Sequence, residues 1–135
     1  MKILGTGVDI IKNSRIKKLI IKKSFIDKSF GKQEIRLSKK EKNKINYFAK
    51  RFAAKESFAK SLGTGFRNNL NLKDIEILND KLGKPYFFIS KKIHNIINKK
   101  FKIKRINLFL SISDEKDYLI AFTIFFNRQK SNSEE

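Results

Sequence analysis

The sequence contains no cysteine and only one histidine, His94. The absence of cysteine excludes disulfide bonds, thiolate metal sites and a cysteine nucleophile. A single histidine cannot supply a multi-histidine metal site. The Lys- and Asn-rich residues around His94 predict that it lies on the surface.

Long hydrophobic runs are also missing. No window approaches the roughly 18 uninterrupted apolar residues that a membrane-spanning helix needs. The N-terminal segment MKILGTGVDII is too short for a signal peptide, and its apolar run contains an acid. We therefore expect a cytoplasmic protein with no membrane partner.

The length and apolar content favour one compact domain. The chain has 135 residues, 40% of them hydrophobic, including 13 phenylalanines, so it can bury a substantial core. We expect the domain to span residues 1–127. The polar residues 128–135 predict a flexible C-terminal tail.

Acidic residues are scarce, and the charge balance is strongly basic. Thirteen Asp and Glu stand against 32 Lys and Arg, which gives a formal net charge of +19. Such a charge favours a polyanionic partner: a nucleic acid, a phosphorylated cofactor, an acidic protein or an anionic membrane. The alternative is compositional drift, because the chain is also rich in Asn and Ile. Charge alone does not choose among these.

The order of predicted elements indicates a mixed α+β domain. A strand over residues 2–11 contains Gly5 and Gly7, which allow close backbone approach. Asn13 or Ser14 is expected to cap the following helix, and Gly31 to interrupt the helical pattern. The remaining predictions are a hairpin around NDKLGKP (79–85), a short helix capped by Ser90, and strands over 106–113 and 118–126.

A long helix is predicted between these elements. Ser38 and Glu41 match a capping box, and the helical pattern runs from there to about Leu62. Gly63 and Gly65 are expected to end it.

Glu56 occupies an unexpected position on this helix. At about 100° per residue, Glu56 shares one stripe with Ile45 and Phe52, so it is expected to face the core. A carboxylate there must be neutralised, hydrogen-bonded or bound to metal. The alternative, favoured when Glu56 is considered alone, is a surface pair with Lys60 one turn later.

Asp9 is a second acid within an apolar element, directly after the small residues GTG. It could simply cap the following helix. Two such acids also suit magnesium, which prefers a few carboxylates together with water and phosphate oxygens. Lys60 could then reach a phosphate beside the metal.

Four blocks together resemble a known family. They are GVDI (7–10), RFAAKESFAKSLGTG (51–65), LGKP (82–85) and SISDEKDY (111–118). In this order they are similar to the holo-acyl-carrier-protein synthases, the small bacterial phosphopantetheinyl transferases. The blocks are spread over most of the chain, and the second is close to diagnostic of the family.

The resemblance implies an activity and an assembly. Such enzymes transfer the 4′-phosphopantetheine arm of coenzyme A to a serine of an apo-acyl carrier protein, in support of fatty acid biosynthesis. They release adenosine 3′,5′-bisphosphate and depend on magnesium. The family is typically a homotrimer of α+β subunits, with active sites between neighbouring subunits.

The resemblance also implies roles for particular residues. Asp9 and Glu56 match the magnesium ligands, and Lys60 matches the residue that contacts the coenzyme A phosphates and helps to activate the serine. These three are the expected catalytic residues. The expected coenzyme A-binding positions are Arg51, Lys60, Gly63, Gly65, Lys84 and Pro85. For the segment Leu82–Pro85, a simple hairpin turn is an equal alternative.

The resemblance gives the basic charge a candidate partner, because acyl carrier proteins are acidic. Arg15, Lys18 and Lys22 recur at helical spacing and are expected to dock the carrier. Some family members carry histidine where this chain has Asp114. Asp114 is not expected to bind a phosphate, since like charges repel.

Two other classes of function remain as alternatives. A nucleic-acid-binding protein would explain the charge and the phenylalanines through phosphate contacts and base stacking, but not Asp9 and Glu56. A subunit that kept the fold and lost the chemistry would not need Asp9, Glu56 and Lys60. We therefore expect an enzyme without a nucleic-acid partner.

Overall fold

The computed structural model describes residues 1–63 and 70–128. The predicted tail over 128–135 lies outside them, apart from Arg128. The elements run in the order β1 (Lys2–Lys12), α1 (Asn13–Leu19), α2 (Lys23–Ser29), α3 (Lys32–Ser38), α4 (Lys44–Leu62), a 3₁₀ turn (Leu72–Asp74), β2 (Ile75–Asn79), β3 (Pro85–Ile89), α5 (Lys91–Phe101), β4 (Asn107–Asp114) and β5 (Tyr118–Asn127).

Two antiparallel sheets organise the chain. One has the strand order β1-β5-β4, and the other is the β2-β3 hairpin. The long helix α4 packs on β1 and β5 and also contacts β2. The predicted α+β class, with antiparallel strands packed on a long helix, is confirmed.

The contact between β1 and α4 depends on two glycines. A Cβ at Gly5 would overlap the carbonyl oxygen of Ser61, and a Cβ at Gly7 would overlap that of Ser57. Only glycine allows the strand to lie this close to the helix backbone. The predicted close approach is confirmed, and it sets Asp9 against the C-terminal half of α4.

Helix α4 is enclosed on nearly every side. Phe48, Phe52 and Phe58 are buried in the core along its length. The buried Ser57 hydroxyl lies 2.6 Å from the Thr123 hydroxyl of β5, so a hydrogen bond also joins the helix to the sheet. The rotation of α4 about its axis is therefore fixed by contacts on several sides.

The predicted capping box at Ser38 is wrong. Ser38 is the last residue of α3, and its hydroxyl donates to the carbonyl oxygen of Ile35. Helix α4 begins six residues later, where the Asn43 side chain accepts from the Asn46 amide. Asparagine caps as well as serine does, so the local pattern offered two possible starts.

The predicted cap of the first helix is also wrong. Lys12 is the N-cap of α1 and makes no side-chain capping bond. Asn13 is already helical, and its side-chain amide donates to the Lys116 carbonyl in the turn between β4 and β5. Asn13 therefore connects α1 to the sheet.

Other local predictions are confirmed. Gly31 separates α2 from α3, and β2 and β3 flank the predicted hairpin loop. The Ser90 hydroxyl accepts from the Ile93 amide and caps α5. Among the residues described, none of the helices combines the length and the apolar character that crossing a membrane requires.

Candidate active site

Strand β1 and helix α4 bring Asp9, Glu56 and Lys60 together. Asp9 lies on the strand face that packs against α4, with 16% of its side chain exposed. The Lys60 ammonium is 3.1 Å from Asp9 Oδ1 and 3.0 Å from the Val8 carbonyl oxygen. Asp9, which is 51 positions from Lys60 in the sequence, thus forms one cluster with Glu56 and Lys60.

Glu56 is half-buried rather than fully inside the core. Burial raises the pKa of its carboxyl group above the usual value, and the negative charge of Asp9 raises it further. Lys60 and Arg15 act in the opposite direction and lower this pKa. The pKa of Glu56 is nevertheless raised on balance, so Lys60 and Arg15 do not fully offset the burial and the repulsion from Asp9.

This arrangement fits a hard divalent cation. Asp9 and Glu56 offer carboxylate oxygens whose mutual repulsion such a cation would relieve. Within residues 1–63 and 70–128, no group of three or more His, Cys, Asp or Glu side chains could hold a metal ion. A two-carboxylate site suits magnesium, which keeps several waters or binds substrate oxygens.

A fully buried ion pair lies next to this cluster on α4. The side chains of Lys55 and Glu34 both have 0% exposure and form a salt bridge. The helical periodicity placed Glu56 on the core stripe but did not indicate that its neighbour Lys55 is the buried charge. Because α4 is covered on nearly all sides, one apolar stripe could not identify the buried charge.

Arg51 lies elsewhere on α4, beside the hairpin loop. Its guanidinium stacks 3.6 Å from the centre of the Tyr47 ring and donates to the Asn79 side chain. Burial lowers the pKa of Arg51, and its Nε atom has no hydrogen-bond partner. Arg51 and the predicted residues Lys84 and Pro85 line one cavity of about 390 Å³.

The end of α4 positions Lys60. Gly63 is the C-cap, with φ of 74°, and its amide donates to the Lys60 carbonyl. The left-handed conformation favours glycine and ends the helix one turn after Lys60. Gly65, the other glycine predicted to bind coenzyme A, lies outside the described residues.

Two groups of predicted site residues are therefore separated within one subunit. Arg51 precedes Lys60 by nine helical residues, which corresponds to about 13 Å along α4. Arg51 shares a cavity with Lys84 and Pro85, whereas Lys60 contacts Asp9. A ligand that uses both groups must be extended, or must lie where two subunits meet.

One of the predicted docking residues, Arg15, lies beside the carboxylate cluster, and Lys22 lies between α1 and α2 rather than on the same helix as Arg15. Arg15, Lys18 and Lys22 are all exposed. Arg15 is close enough to Glu56 to lower its pKa. A partner that contacts α1 would therefore be adjacent to Asp9 and Glu56.

Asp114 and His94 lie outside this cluster. Asp114 accepts from the Asn46 side chain and pairs with Lys50, and these contacts lower its pKa. The exclusion of Asp114 from the catalytic set stays a prediction. The surface position predicted for His94 is only partly right, since His94 is half-buried and lines a cavity beside β3 and β4.

Sequence reasoning missed two supporting residues. Asn79 holds the Arg51 guanidinium, and Thr123 bonds α4 next to Glu56 through Ser57. The sequence around them carries no signal for these contacts, because each pairs with a residue far away along the chain.

Comparisons with known proteins agree on one family. The model of the 4′-phosphopantetheinyl transferase superfamily matches residues 5–123. A holo-[acyl-carrier-protein] synthase from Pelagibacter ubique (strain HTCC1062) is 56% identical over 124 residues, which are 92% of this chain and 97% of that protein.

Solved structures give the same result. The crystal structure of holo-[acyl-carrier-protein] synthase from Neisseria meningitidis has a TM-score of 0.82 at 36% identity, covering 93% of this chain and 99% of that one. The Bacillus anthracis str. Ames enzyme in complex with CoA (3′,5′-ADP) has a TM-score of 0.77 at 31% identity, covering 93% and 97%.

Proposed function

Because the chain belongs to the holo-[acyl-carrier-protein] synthases of the 4′-phosphopantetheinyl transferase superfamily, we propose that it transfers 4′-phosphopantetheine from coenzyme A to a serine of an apo-acyl carrier protein. The observation that carries this proposal is the cluster of Asp9, Glu56 and Lys60. We propose that the reaction requires magnesium, releases adenosine 3′,5′-bisphosphate and serves fatty acid biosynthesis. The expected location is the cytoplasm.

The reaction is a phosphoryl transfer. The serine oxygen forms a bond to the phosphorus next to the pantetheine, and the bond from that phosphorus to the bridging oxygen breaks. The bridging oxygen leaves with adenosine 3′,5′-bisphosphate, and the serine proton passes to a carboxylate or a water molecule and from there to solvent. Such reactions depend mainly on positioning and on stabilising the charge that develops on phosphate oxygens.

Asp9 and Glu56 would hold the magnesium ion, and its positive charge would polarise the pyrophosphate. Lys60 now donates to two oxygens, so its ammonium group retains one further N–H. That proton, together with the positive charge, is available to a phosphate oxygen beside the carboxylates.

The cavity beside the hairpin suits the rest of coenzyme A. Arg51 and Lys84 supply positive charge, and Pro85 supplies an apolar surface. Arg51 lines this cavity, so its guanidinium is placed to pair with a phosphate oxygen. We assign the cofactor-binding role to Arg51, Lys84 and Pro85 together with Lys60, Gly63 and Gly65.

The experiment that tests this function measures the intact mass of an apo-acyl carrier protein after incubation with the protein, coenzyme A and magnesium. A gain of one phosphopantetheine, abolished by EDTA, supports the proposal. No gain with several carriers from a folded sample contradicts it. Salt-sensitive retention on random DNA in that case would favour the nucleic-acid alternative.

Replacing Arg15 by Glu is expected to raise the apparent KM for the carrier about tenfold and to leave the KM for coenzyme A nearly unchanged. Arg15 is exposed next to Glu56, so a negative charge there would repel an acidic carrier. Lys17→Glu is the matched control, because Lys17 is exposed on a different side of α1. Equal effects of both variants at low salt would contradict the docking role.

We also propose that the protein is a homotrimer. The outer face of the β1-β5-β4 sheet, opposite α4, exposes apolar side chains that an interface would cover: Val8, Ile10, Phe109, Ile120 and Phe122. A second copy meeting this face would bury it and would place the neighbouring sites near the subunit boundary.

Replacing Phe122 by Asp is expected to dissociate the assembly. A charge on a buried interface must be desolvated, which opposes association. Light scattering should give three subunit masses for the unmodified protein and one for the variant. Leu82→Asp, which places the same charge on an exposed loop, should leave the mass unchanged. A single-subunit mass for the unmodified protein would contradict the trimer.

A further inference from the structure

A basic cavity lies at the end of the three-stranded sheet where β4 begins and β5 ends. It encloses about 600 Å³ between the segment that follows α5 and these two strand ends. The side chains that matter chemically come from both regions: Lys102, Lys104, Arg105, Asn107, Asn127 and Arg128.

The lining of this cavity carries only positive charge. Four lining side chains carry positive charge, two are amides, and none is a carboxylate. None of the four cations forms a salt bridge with another described residue. Asn107 Nδ2 is a buried donor without a hydrogen-bond partner. Like charges that converge without a counterion favour the binding of an anion.

Two simpler explanations account for only part of this arrangement. Basic residues commonly follow a helix because they interact favourably with its C-terminal dipole, and Lys99 and Lys100 already lie in the last turn of α5. Compositional drift could add exposed lysines anywhere. Neither explains why Arg105 and Arg128, from separate segments, line one concavity with an unpaired amide.

The cavity is distinct from the carboxylate cluster of the same subunit. Asp9 pairs with Ala121 in the sheet, whereas Lys2 pairs with Asn127 at its far end. The step from Ala121 to Asn127 is six positions along β5, which corresponds to about 20 Å. The basic cavity therefore does not contribute to the chemistry at Asp9 and Glu56 within one subunit.

We propose that this cavity binds phosphate groups as a second anion site. Arginine guanidinium groups pair with phosphate oxygens in a bidentate manner, and Arg105 and Arg128 supply two of them. Asn107 also lines the cavity and so reports on its occupancy. The ligand is either a soluble phosphorylated compound or the phosphate of an anionic lipid headgroup.

The test is a titration of the isotopically labelled full chain with inorganic pyrophosphate in about 0.15 M NaCl, followed by NMR. Saturable shifts of the Asn107 side-chain amide signals are expected. Arg105→Gln combined with Arg128→Gln should weaken this binding about tenfold or more. Lys39→Gln with Lys40→Gln, which removes equal charge from an exposed turn, should not weaken it.

Two further measurements identify the source of the phosphate and separate this site from catalysis. Co-sedimentation of the chain with phosphatidylglycerol vesicles, but not with phosphatidylcholine vesicles, would identify a lipid source if it is lost in the double arginine variant. Pyrophosphate binding without co-sedimentation would identify a soluble ligand. In either case that variant should retain phosphopantetheine transfer.

Three results would overturn the proposal. They are unchanged Asn107 signals with no arginine-dependent co-sedimentation, equal weakening by both double variants, and loss of transfer in the arginine variant. The mass assay on the unmodified protein tests the transferase function separately, so the failure of one proposal is distinguishable from the failure of the other.

Discussion

Replacing Glu56 by Gln is expected to reduce phosphopantetheine transfer about a hundredfold or more at a fixed magnesium concentration. Gln keeps the size of the side chain but removes the charge that, together with Asp9, would hold the proposed magnesium ion. The loss should be accompanied by a higher magnesium requirement. The intact-mass assay, run as a time course at several magnesium concentrations, measures both quantities.

The same substitution is expected to leave the fold intact or to stabilise it. The raised pKa of Glu56 means that folding favours its protonated form, so its stabilising contribution is present at low pH and is lost as pH rises through that pKa. Gln cannot ionise and escapes this loss. In the absence of magnesium, the melting temperature of Glu56→Gln relative to the unmodified protein should therefore rise from about pH 4 to about pH 7.

The control for the expected loss of activity is Glu41→Gln, which removes a charge from an exposed turn. It should change neither transfer nor the magnesium requirement. Full activity of Glu56→Gln would exclude a metal-binding role for Glu56. A loss of activity accompanied by a lower melting temperature, with no change in the magnesium requirement, would show that Glu56 acts through stability alone.

Short-range features of the fold were predictable from sequence because their causes are local. Gly5 and Gly7 permit a close backbone contact, Ser90 caps a helix, and Gly63 ends one. Each depends on the conformational preference or hydrogen bonding of one residue. The start of α4 was missed because Ser38 and Asn43 are both good caps, and tertiary contacts decide between them.

The candidate site was predictable where the chemistry is unusual. Asp9 interrupts an apolar strand, and Glu56 departs from the pattern of its helix. Their proximity to each other and to Lys60 required either the resemblance or the structure. Sequence periodicity gives directions around a helix, but it cannot tell which directions are covered when α4 packs against several elements.

The buried pair of Lys55 and Glu34 illustrates that limit, and its disruption is expected to have a large effect on stability. Replacing Lys55 by Met is expected to reduce the free energy of unfolding by about 3–5 kcal/mol, because Glu34 would be left buried without a counter-charge. Lys55 also donates to the carbonyl oxygens of Ser29 and Leu72, which would lose their partner. Urea unfolding at one protein concentration measures the change.

Lys50→Met is a matched control for this prediction. It is the same substitution on the same helix, but the Lys50 side chain is 37% exposed and pairs with the exposed Asp114. It should cost less than about 1 kcal/mol. If Lys55→Met cost no more than Lys50→Met, the buried pair would not be a major source of stability.

The double variant Lys55→Met with Glu34→Gln separates the effect of the uncompensated charge on Glu34 from the effect of the hydrogen bonds that Lys55 loses. Removing both charges relieves the uncompensated carboxylate, so the double variant should recover part of the stability that Lys55→Met loses. Recovery would be incomplete, because Glu34 also accepts from the amides of Gly31 and Ile77 and so connects α3 to β2. No recovery would assign the loss to the broken hydrogen bonds of Lys55 rather than to the buried charge. Lys55 holds α4 against α2, α3 and the 3₁₀ turn through its bonds to Ser29, Glu34 and Leu72, whereas the next residue, Glu56, interacts with Asp9.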